Sequence, residues 1–364
     1  MNNSFIKFIL EGAPLRKLFI DNLRWIAILF LFPYHTARIF DSIQSFYVKG
    51  AASQLATDFV LSCTPWFMPV LFVLAGMSTR YALQKRNNRE YIKERFSKLL
   101  IPLISGLLLL IPMQTYFAEI FHNHYSGTYL EQYVLFFTKV TDFSGYLGGF
   151  TPGQLWFVFY LFVISLAALP FINFVKKRGI SWRNANFRVM PLFLITLTFS
   201  YVLDITGKSM GEYFSLFLLG YFILSEETVQ AFLDRQRVLL SILGGILIIF
   251  TVVFQTSLEP GILARGTMIL TSWISILAIL GIGRHYLNFQ NKWTKYLSSS
   301  SFAYYLFHQS LIVCIGFYVL QCKIPPYVQY TIILFGSFLG CIFAYEVCRR
   351  FKVLRFLFAI KSKK

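Results

Sequence analysis

Asp21-Asn-Leu-Arg24-Trp-Ile-Ala-Ile-Leu-Phe-Leu-Phe-Pro33-Tyr-His35-Thr-Ala-Arg38 sets a long apolar run between ionisable side chains. A helix needs about 20 apolar residues to cross the roughly 30 Å hydrocarbon core, because every backbone polar group must be paired inside the segment. Runs near that length recur along all 364 residues. The composition agrees: 56% of the residues are hydrophobic, 14% are charged, and the mean hydropathy is +0.60. A soluble domain carries about 25% charged residues. The expected fold class is therefore all-α: a polytopic integral membrane protein, one transmembrane domain over 1–364 with its core at about 16–350 and a basic tail at 351–364.

Working outward from that stretch gives ten expected spans, at roughly 25–41, 59–79, 99–118, 154–174, 189–204, 210–224, 238–255, 264–283, 301–321 and 328–348. The fifth and sixth are short, and a re-entrant pair would satisfy the same pattern. The net charge of +18 invites a nucleic-acid partner, but its placement argues against one. With both termini in the cytoplasm, 28 of the 34 Lys and Arg residues fall on the inner side. The other six are Arg38, Lys49, Lys139, Lys208, Arg265 and Lys323. That is the positive-inside rule, and it predicts an N-in, C-in topology in contact with membrane lipid and not with nucleic acid. No cleavable signal peptide is evident; Phe5 to Leu10 reads as a short interfacial segment. The five cysteines form no C-x-x-C and read as small core residues.

An ionisable side chain inside a span costs several kcal/mol, of order 2.5–3.5 on insertion scales, so each one is a candidate functional residue. Arg24 and His35 are eleven positions apart. At about 100° per residue they return to within roughly 20° of one another, some 16 Å apart along the axis. They share one face, with Arg24 at the inner mouth, His35 well inside the bilayer, and Arg38 one turn further out. Pro33 donates no backbone hydrogen bond and should loosen the helix before His35. A lone buried histidine is more often a packing residue. A deep histidine on the same stripe as a cationic mouth points instead to a general base toward a hydroxyl.

The segment 80–98 holds seven cations, among them Arg80, Arg95 and Lys98. Part of this is topology anchoring and attraction to anionic lipid. Beside Arg24 it also reads as a cradle for a phosphorylated cytosolic molecule, with Arg95 and Lys98 at i, i+3 on one helix face. His308, about two turns into the ninth span, is either a second polar residue of the cavity or a structural hydrogen-bonding group. Glu346 should pair with Arg349 and Arg350, and Asp204 and Glu212 read as interfacial. His122 and His124 form H-x-H without Cys or carboxylates at ligand spacing, so no metal is expected. Trp156 reads as part of an interfacial aromatic belt.

Phe19-Ile-Asp21-Asn-Leu-Arg24 followed by His35 resembles the first helix of the acyltransferase 3 family, bacterial membrane proteins that O-acylate surface and periplasmic glycans. Phe72-Val-Leu-Ala-Gly76-Met looks like the family's apolar run ending in Ser-Gly-Phe. Arg95-Phe-Ser-Lys98-Leu-Leu-Ile-Pro102 is similar to its basic entry to the third helix. Gln154-Leu-Trp156-Phe157 and Tyr304-Tyr305-Leu-Phe-His308 look like later motifs, and the order is kept over about 16–350. Ala75 and Met77 replace the usual Ser and Phe, and Lys98 stands where an Arg is common. That bears on donor affinity or acyl identity, because Lys and Arg are not equivalent at a bidentate phosphate site.

The resemblance implies acyl-CoA, as acetyl-CoA or succinyl-CoA, in the cytoplasm, and a carbohydrate or lipid-linked glycan acceptor at the bacterial inner membrane. It assigns catalysis to His35, as general base or transient acyl carrier, and to Arg24, with help from His308, and donor binding to Arg24, Arg80, Arg95 and Lys98. A subset of the family succinylates periplasmic glucans, and Pro33-Tyr-His35 is compatible with it. A carrier or flippase for a lipid-linked glycan would use the same basic surface for a pyrophosphate head group. A structural role in an envelope-assembly complex is the third alternative.

Overall fold

The computed structural model describes residues 17–179, 186–205, 207–254, 258 and 261–361. The interfacial segment expected at Phe5 to Leu10 lies outside them. Helix α1 (Leu18–Phe40) begins seven residues before the expected first span and stays unbroken through Pro33. It is followed by α2 (Gln54–Cys63) and α3 (Phe67–Ala82), and by α4 (Asn88–Arg95), which leads through a π-helical turn at Phe96–Leu100 into α5 (Ile101–Leu109) and α6 (Ile111–Asn123). Next come α7 (Tyr129–Thr138), α8 (Trp156–Lys177), α9 (Phe193–Phe199), a hairpin of β1 (Asp204–Ile205) and β2 (Lys208–Ser209), and α10 (Met210–Leu219). The chain closes with α11 (Glu227–Arg235), α12 (Arg237–Phe254), α13 (Ile262–Tyr286), α14 (Lys292–Val319), α15 (Pro326–Cys348) and the short α16 (Lys352–Leu357).

The starts of these helices are legible locally. Asn87 with Glu90, Thr128 with Glu131, and Asn291 with Thr294 each form a reciprocal capping box, which satisfies backbone N–H groups that the first turn leaves over. Among the described residues seven helices are long and apolar enough to cross a membrane, or eight if the pair Met210–Leu224 and Glu227–Arg235, bent by 94°, counts as one span. Helix α1 is not among them, because Asp21, Arg24, His35 and Arg38 lower its hydropathy. The helix at Arg188–Phe199 is too short, since twelve residues rise only about 18 Å. Apart from the two-residue strands of the β1–β2 hairpin the described residues are helical in class, and the protein is multi-pass.

Five of the six exceptions to the charge rule have structural partners. Arg38 and Lys49 both reach Asp41, Lys139 reaches Glu119 at 2.7 Å, and Arg265 reaches Glu212 at 3.1 Å. Lys208 lies 5.3 Å above the Trp156 ring. Glu346 accepts from Arg349 at 2.6 Å, as its neighbourhood suggests, and also from the Tyr296 hydroxyl at 3.0 Å.

Without a hydrophobic drive inside lipid, helices associate by close packing of small residues and by hydrogen bonds. Gly76 on α3 and Gly220, just after α10, show this where those two helices cross. A Cβ on Gly76 would lie 2.0 Å from the Phe217 carbonyl oxygen, and one on Gly220 would lie 2.4 Å from the Val73 carbonyl oxygen. Both obstacles are backbone, so neither can swing aside. Gly76→Val is expected to lower the thermal midpoint of the detergent-solubilised protein by several degrees. Gly245→Ala, where nothing lies within 4 Å of the added carbon, should leave it unchanged or raise it. Equal midpoints for the two variants would contradict the crossing geometry.

Candidate active site

Helix α14 packs along α1, and that contact brings His308 to His35. Their ring centroids are 5.1 Å apart and their planes are tilted by 43°. His308 is fully buried, and its Nδ1 lies 2.7 Å from the Tyr305 carbonyl oxygen, one turn back in the same helix. A carbonyl only accepts, so Nδ1 carries the hydrogen, and in the neutral ring Nε2 is left as a lone pair. That Nε2 is buried without a partner, and so is Nδ1 of His35. Two orphaned ring nitrogens on touching imidazoles are costly in a low-dielectric interior unless a ligand uses them.

The rings are held from several sides. Tyr34 stands edge-on to His35 at 5.2 Å, Phe46 stacks on its other side at 6.1 Å, and Phe32 meets His308 at 5.9 Å. Phe46 belongs to the loop after α1, and charge fixes that loop. Arg38 Nη1 donates to Asp41 Oδ2 at 2.5 Å, Asp41 Oδ1 caps the Ile43 N–H at 2.9 Å, and Lys49 donates to the Arg38 carbonyl at 3.0 Å. The Arg38 guanidinium also lies 5.6 Å over Phe46 and 5.9 Å over Tyr146.

A buried amide network sets the turn of α14 that bears His308. Gln114 donates to Gln154 at 2.9 Å and to Ser310 at 2.7 Å, and Gln309 donates back to Gln114 at 3.1 Å. Gln154 donates to the Leu306 carbonyl at 2.9 Å and accepts at its own carbonyl from the Tyr305 hydroxyl. So Gln154 supports the 305–310 turn from the 3₁₀ turn Gly153–Leu155 that leads into α8, and Trp156 packs on Tyr160 and Tyr213 at 5.4 and 5.5 Å.

About 16 Å along α1 from His35, by helical rise, Arg24 lines a cavity of about 380 Å³. Lys17, Lys85, Arg86 and Arg95 share its wall, together with Asp21, Ser78 and Tyr81. Arg24 is hydrogen-bonded to Ser78 and lies 3.2 Å from Asp21. Arg95 sits 4.6 Å over the Tyr91 ring, and its Nε is buried with no partner. Lys17 and Arg86 are partly neutralised, by Glu227 at 2.6 Å and Glu94 at 2.5 Å. The excess of cations over the single carboxylate of the wall suits a polyanion.

Of the residues expected from sequence, His35 and His308 come together at one end of α1, and Arg24 and Arg95 at the other. Arg80 lies outside this cavity: it donates to Glu226 at 2.8 Å and to the carbonyls of Tyr221 and Phe222. Lys98 is half-exposed and bonded to Glu94. The wider π-helical turn at Phe96–Leu100 rotates Lys98 away from Arg95, so the i, i+3 spacing no longer means a shared face. His308 lies sixteen residues into its helix, deeper than expected, because α14 starts at Lys292 and not near 301. His122 bonds the Phe46 carbonyl at 2.8 Å. Lys17 and Ser78 have no distinguishing local sequence signal; Lys85 and Arg86 belonged to the recognised basic segment.

Comparison with known proteins identifies the family. The family model Acyl_transf_3, described as an acyltransferase domain, matches residues 17–346. Glucans biosynthesis protein C of Salmonella typhimurium is 23% identical over 401 aligned positions, covering 96% of each chain. The protein of the same name from Salmonella paratyphi B is 22% identical over 394 positions, again covering 96% of each. No solved structure matches the chain. Because the family model takes in Arg24, His308 and every helix between them, this chain belongs to the acyltransferase 3 family and is a membrane acyltransferase for groups other than aminoacyl groups.

Proposed function

We propose that the protein transfers an acetyl or succinyl-like group from cytosolic acyl-CoA to a hydroxyl of a cell-envelope carbohydrate, free or lipid-linked, in the bacterial inner membrane. The juxtaposition of His35 and His308 with unpartnered ring nitrogens carries this proposal. The relatives named for glucans biosynthesis support a glucan as the acceptor. Both termini are taken to lie inside, whether or not the short fifth and sixth segments cross fully, which puts the Arg24 cavity on the side of coenzyme A. Arg24 and Arg95, with Lys85 beside them, hold the donor phosphates; Arg80 and Lys98 act on the donor only through the local field. The thioester arm then runs along α1 toward His35.

His35 takes the proton of the acceptor hydroxyl, and His308 Nε2 orients that hydroxyl or the imidazole. The oxygen attacks the thioester carbonyl, the C–O bond forms and the C–S bond breaks. The coenzyme A thiolate leaves and takes up a proton from the imidazolium. No net charge is stranded in the membrane.

Membranes carrying the protein should move label from acyl-labelled CoA onto glucan, and membranes without it should not. Loss of glycan export with acyl content unchanged on deletion would favour the flippase instead. Within this scheme, Arg24→Ala and Arg95→Ala are expected to raise the KM for acyl-CoA. A charge-assisted contact contributes about 1.5–3 kcal/mol, or roughly 10- to 150-fold. Lys98→Ala should shift it by less than about fivefold, as exposed pairs contribute little. A steady-state donor titration checks all three, and equal shifts for Arg95 and Lys98 variants would remove the assignment of the cavity.

A further inference from the structure

At the end of the bundle opposite the cationic cavity lies a second cavity, of about 510 Å³. It is walled by the break before α3, the outer ends of α9 and α10, and the first three turns of α13. Its size falls within the roughly 300–1,000 Å³ of small-molecule sites. Asp204 and Glu212, read from sequence as interfacial, both line this cavity together with Arg265. Arg265 Nη2 lies 3.1 Å from Glu212 and 3.8 Å from Asp204.

Two features point to a ligand. Ser272 lines the cavity, is 4% exposed, and its Oγ has no hydrogen-bond partner, although a helical serine normally donates to the carbonyl one turn back. The Nε of Arg265 is likewise buried and unpartnered. Buried donors of this kind are rare unless something is meant to meet them. The wall also presents Tyr213, whose ring is stacked on Phe72 at 4.4 Å and so is held rigidly.

The wall chemistry selects the ligand. Two carboxylates face one guanidinium, so a phosphate or pyrophosphate is disfavoured. A neutral polyol fits, because its hydroxyls donate to Asp204 and Glu212 and accept from Ser272 and Arg265. Side-chain contacts lead from the cavity to the histidine pair: Thr64 lines it, the Thr64 and Tyr34 hydroxyls are 3.4 Å apart, and the Tyr34 ring abuts His35. We infer that this cavity is the binding site for a neutral carbohydrate acceptor, with Ser272, Glu212 and Arg265 as its hydrogen-bonding contacts and Thr64 and Tyr34 linking its wall to His35. The inference rests on the acyl-transfer proposal for the identity of the acceptor, and on the cavity itself for its location.

The test uses the full-length protein in nanodiscs with a neutral β-gluco-oligosaccharide as probe. Ser272→Ala removes only a hydroxyl, Glu212→Gln removes a charge, and Ser272→Leu fills the space. Each is expected to raise the acceptor KM and weaken oligosaccharide binding by calorimetry, about tenfold for the first two. Ser272→Leu should abolish binding, with coenzyme A affinity by calorimetry unchanged in all three. That donor affinity also certifies folding, and Ser272→Ala keeps the test open if Glu212→Gln fails to fold. An anionic oligosaccharide should bind more weakly than the neutral one. Wild-type acyl transfer with acceptor KM and binding unaltered in Ser272→Ala and Ser272→Leu would overturn the site and leave the enzyme reading standing. Ser272-dependent oligosaccharide binding without any acyl transfer would do the reverse.

Discussion

His35→Ala is expected to abolish acyl transfer while donor affinity stays near that of the wild type. A positioned general base typically contributes about 10²–10⁴-fold, and the loss should appear in kcat, because His35 lies some 16 Å of helix away from the cationic cavity at Arg24. His308→Ala should cost a similar factor. Its fully buried ring is fixed by the 2.7 Å bond to Tyr305 and aims an unpartnered Nε2 toward the same space. The two imidazoles touch, so their effects should not add. The double variant is expected to be no slower than the worse single variant, as for groups that act as one unit. Single-turnover transfer of labelled acyl groups to glucan, measured alongside CoA binding, separates these quantities. Unchanged glycan labelling in His35→Ala would sink the assignment, and fully additive losses would mean that the two histidines serve different steps.

How much of this was legible in the sequence depended on range. The helices announce themselves through apolar runs of bilayer length, and the shared face of Arg24 and His35 follows from helical angle alone. Both are local properties of one element. The basic segment at 80–98 was visible as a candidate cradle for a phosphorylated molecule, but which of its cations turn inward was not. A single π-helical turn after Arg95 changes the register and sends Lys98 to Glu94. Arg80 was captured by Glu226, 146 positions away. Glu212 looked interfacial because its partner, Arg265, lies 53 positions on, across a helix contact that no periodicity encodes. The amide network from Gln114 to Ser310 spans 196 positions and has no local signature either. What sequence missed was the set of pairings created when distant helices meet, and in a membrane interior those pairings hold the polar residues.

The largest structural effect should come from Asp41, a residue with no obvious role in the sequence. Its side chain is fully buried, and that of Arg38 is 5% exposed. Asp41 bonds Arg38 and Lys49 and caps the Ile43 N–H. Burial lowers the Lys49 pKa from its ordinary value, and the Asp41 carboxylate opposes that shift. Asp41→Ala leaves a buried guanidinium without its counter-ion, which costs about 3–5 kcal/mol, a large part of the stability of an ordinary domain. It also frees the loop that carries Phe46 against His35, so folding and catalysis should fall together. Asp41→Asn keeps most of the hydrogen bonds and is expected to fold but to turn over more slowly. Removing both charges, as in Arg38→Met with Asp41→Leu, should restore the amount of folded protein, because replacing a buried pair by apolar groups is often neutral. The same double variant should not restore acyl transfer, because Phe46 loses the guanidinium that lies 5.6 Å from its ring. Yield and thermal midpoint report the first effect and labelled-glucan formation the second. Full activity in the double variant would show that the ion pair holds the fold alone and leaves the histidine site unaffected.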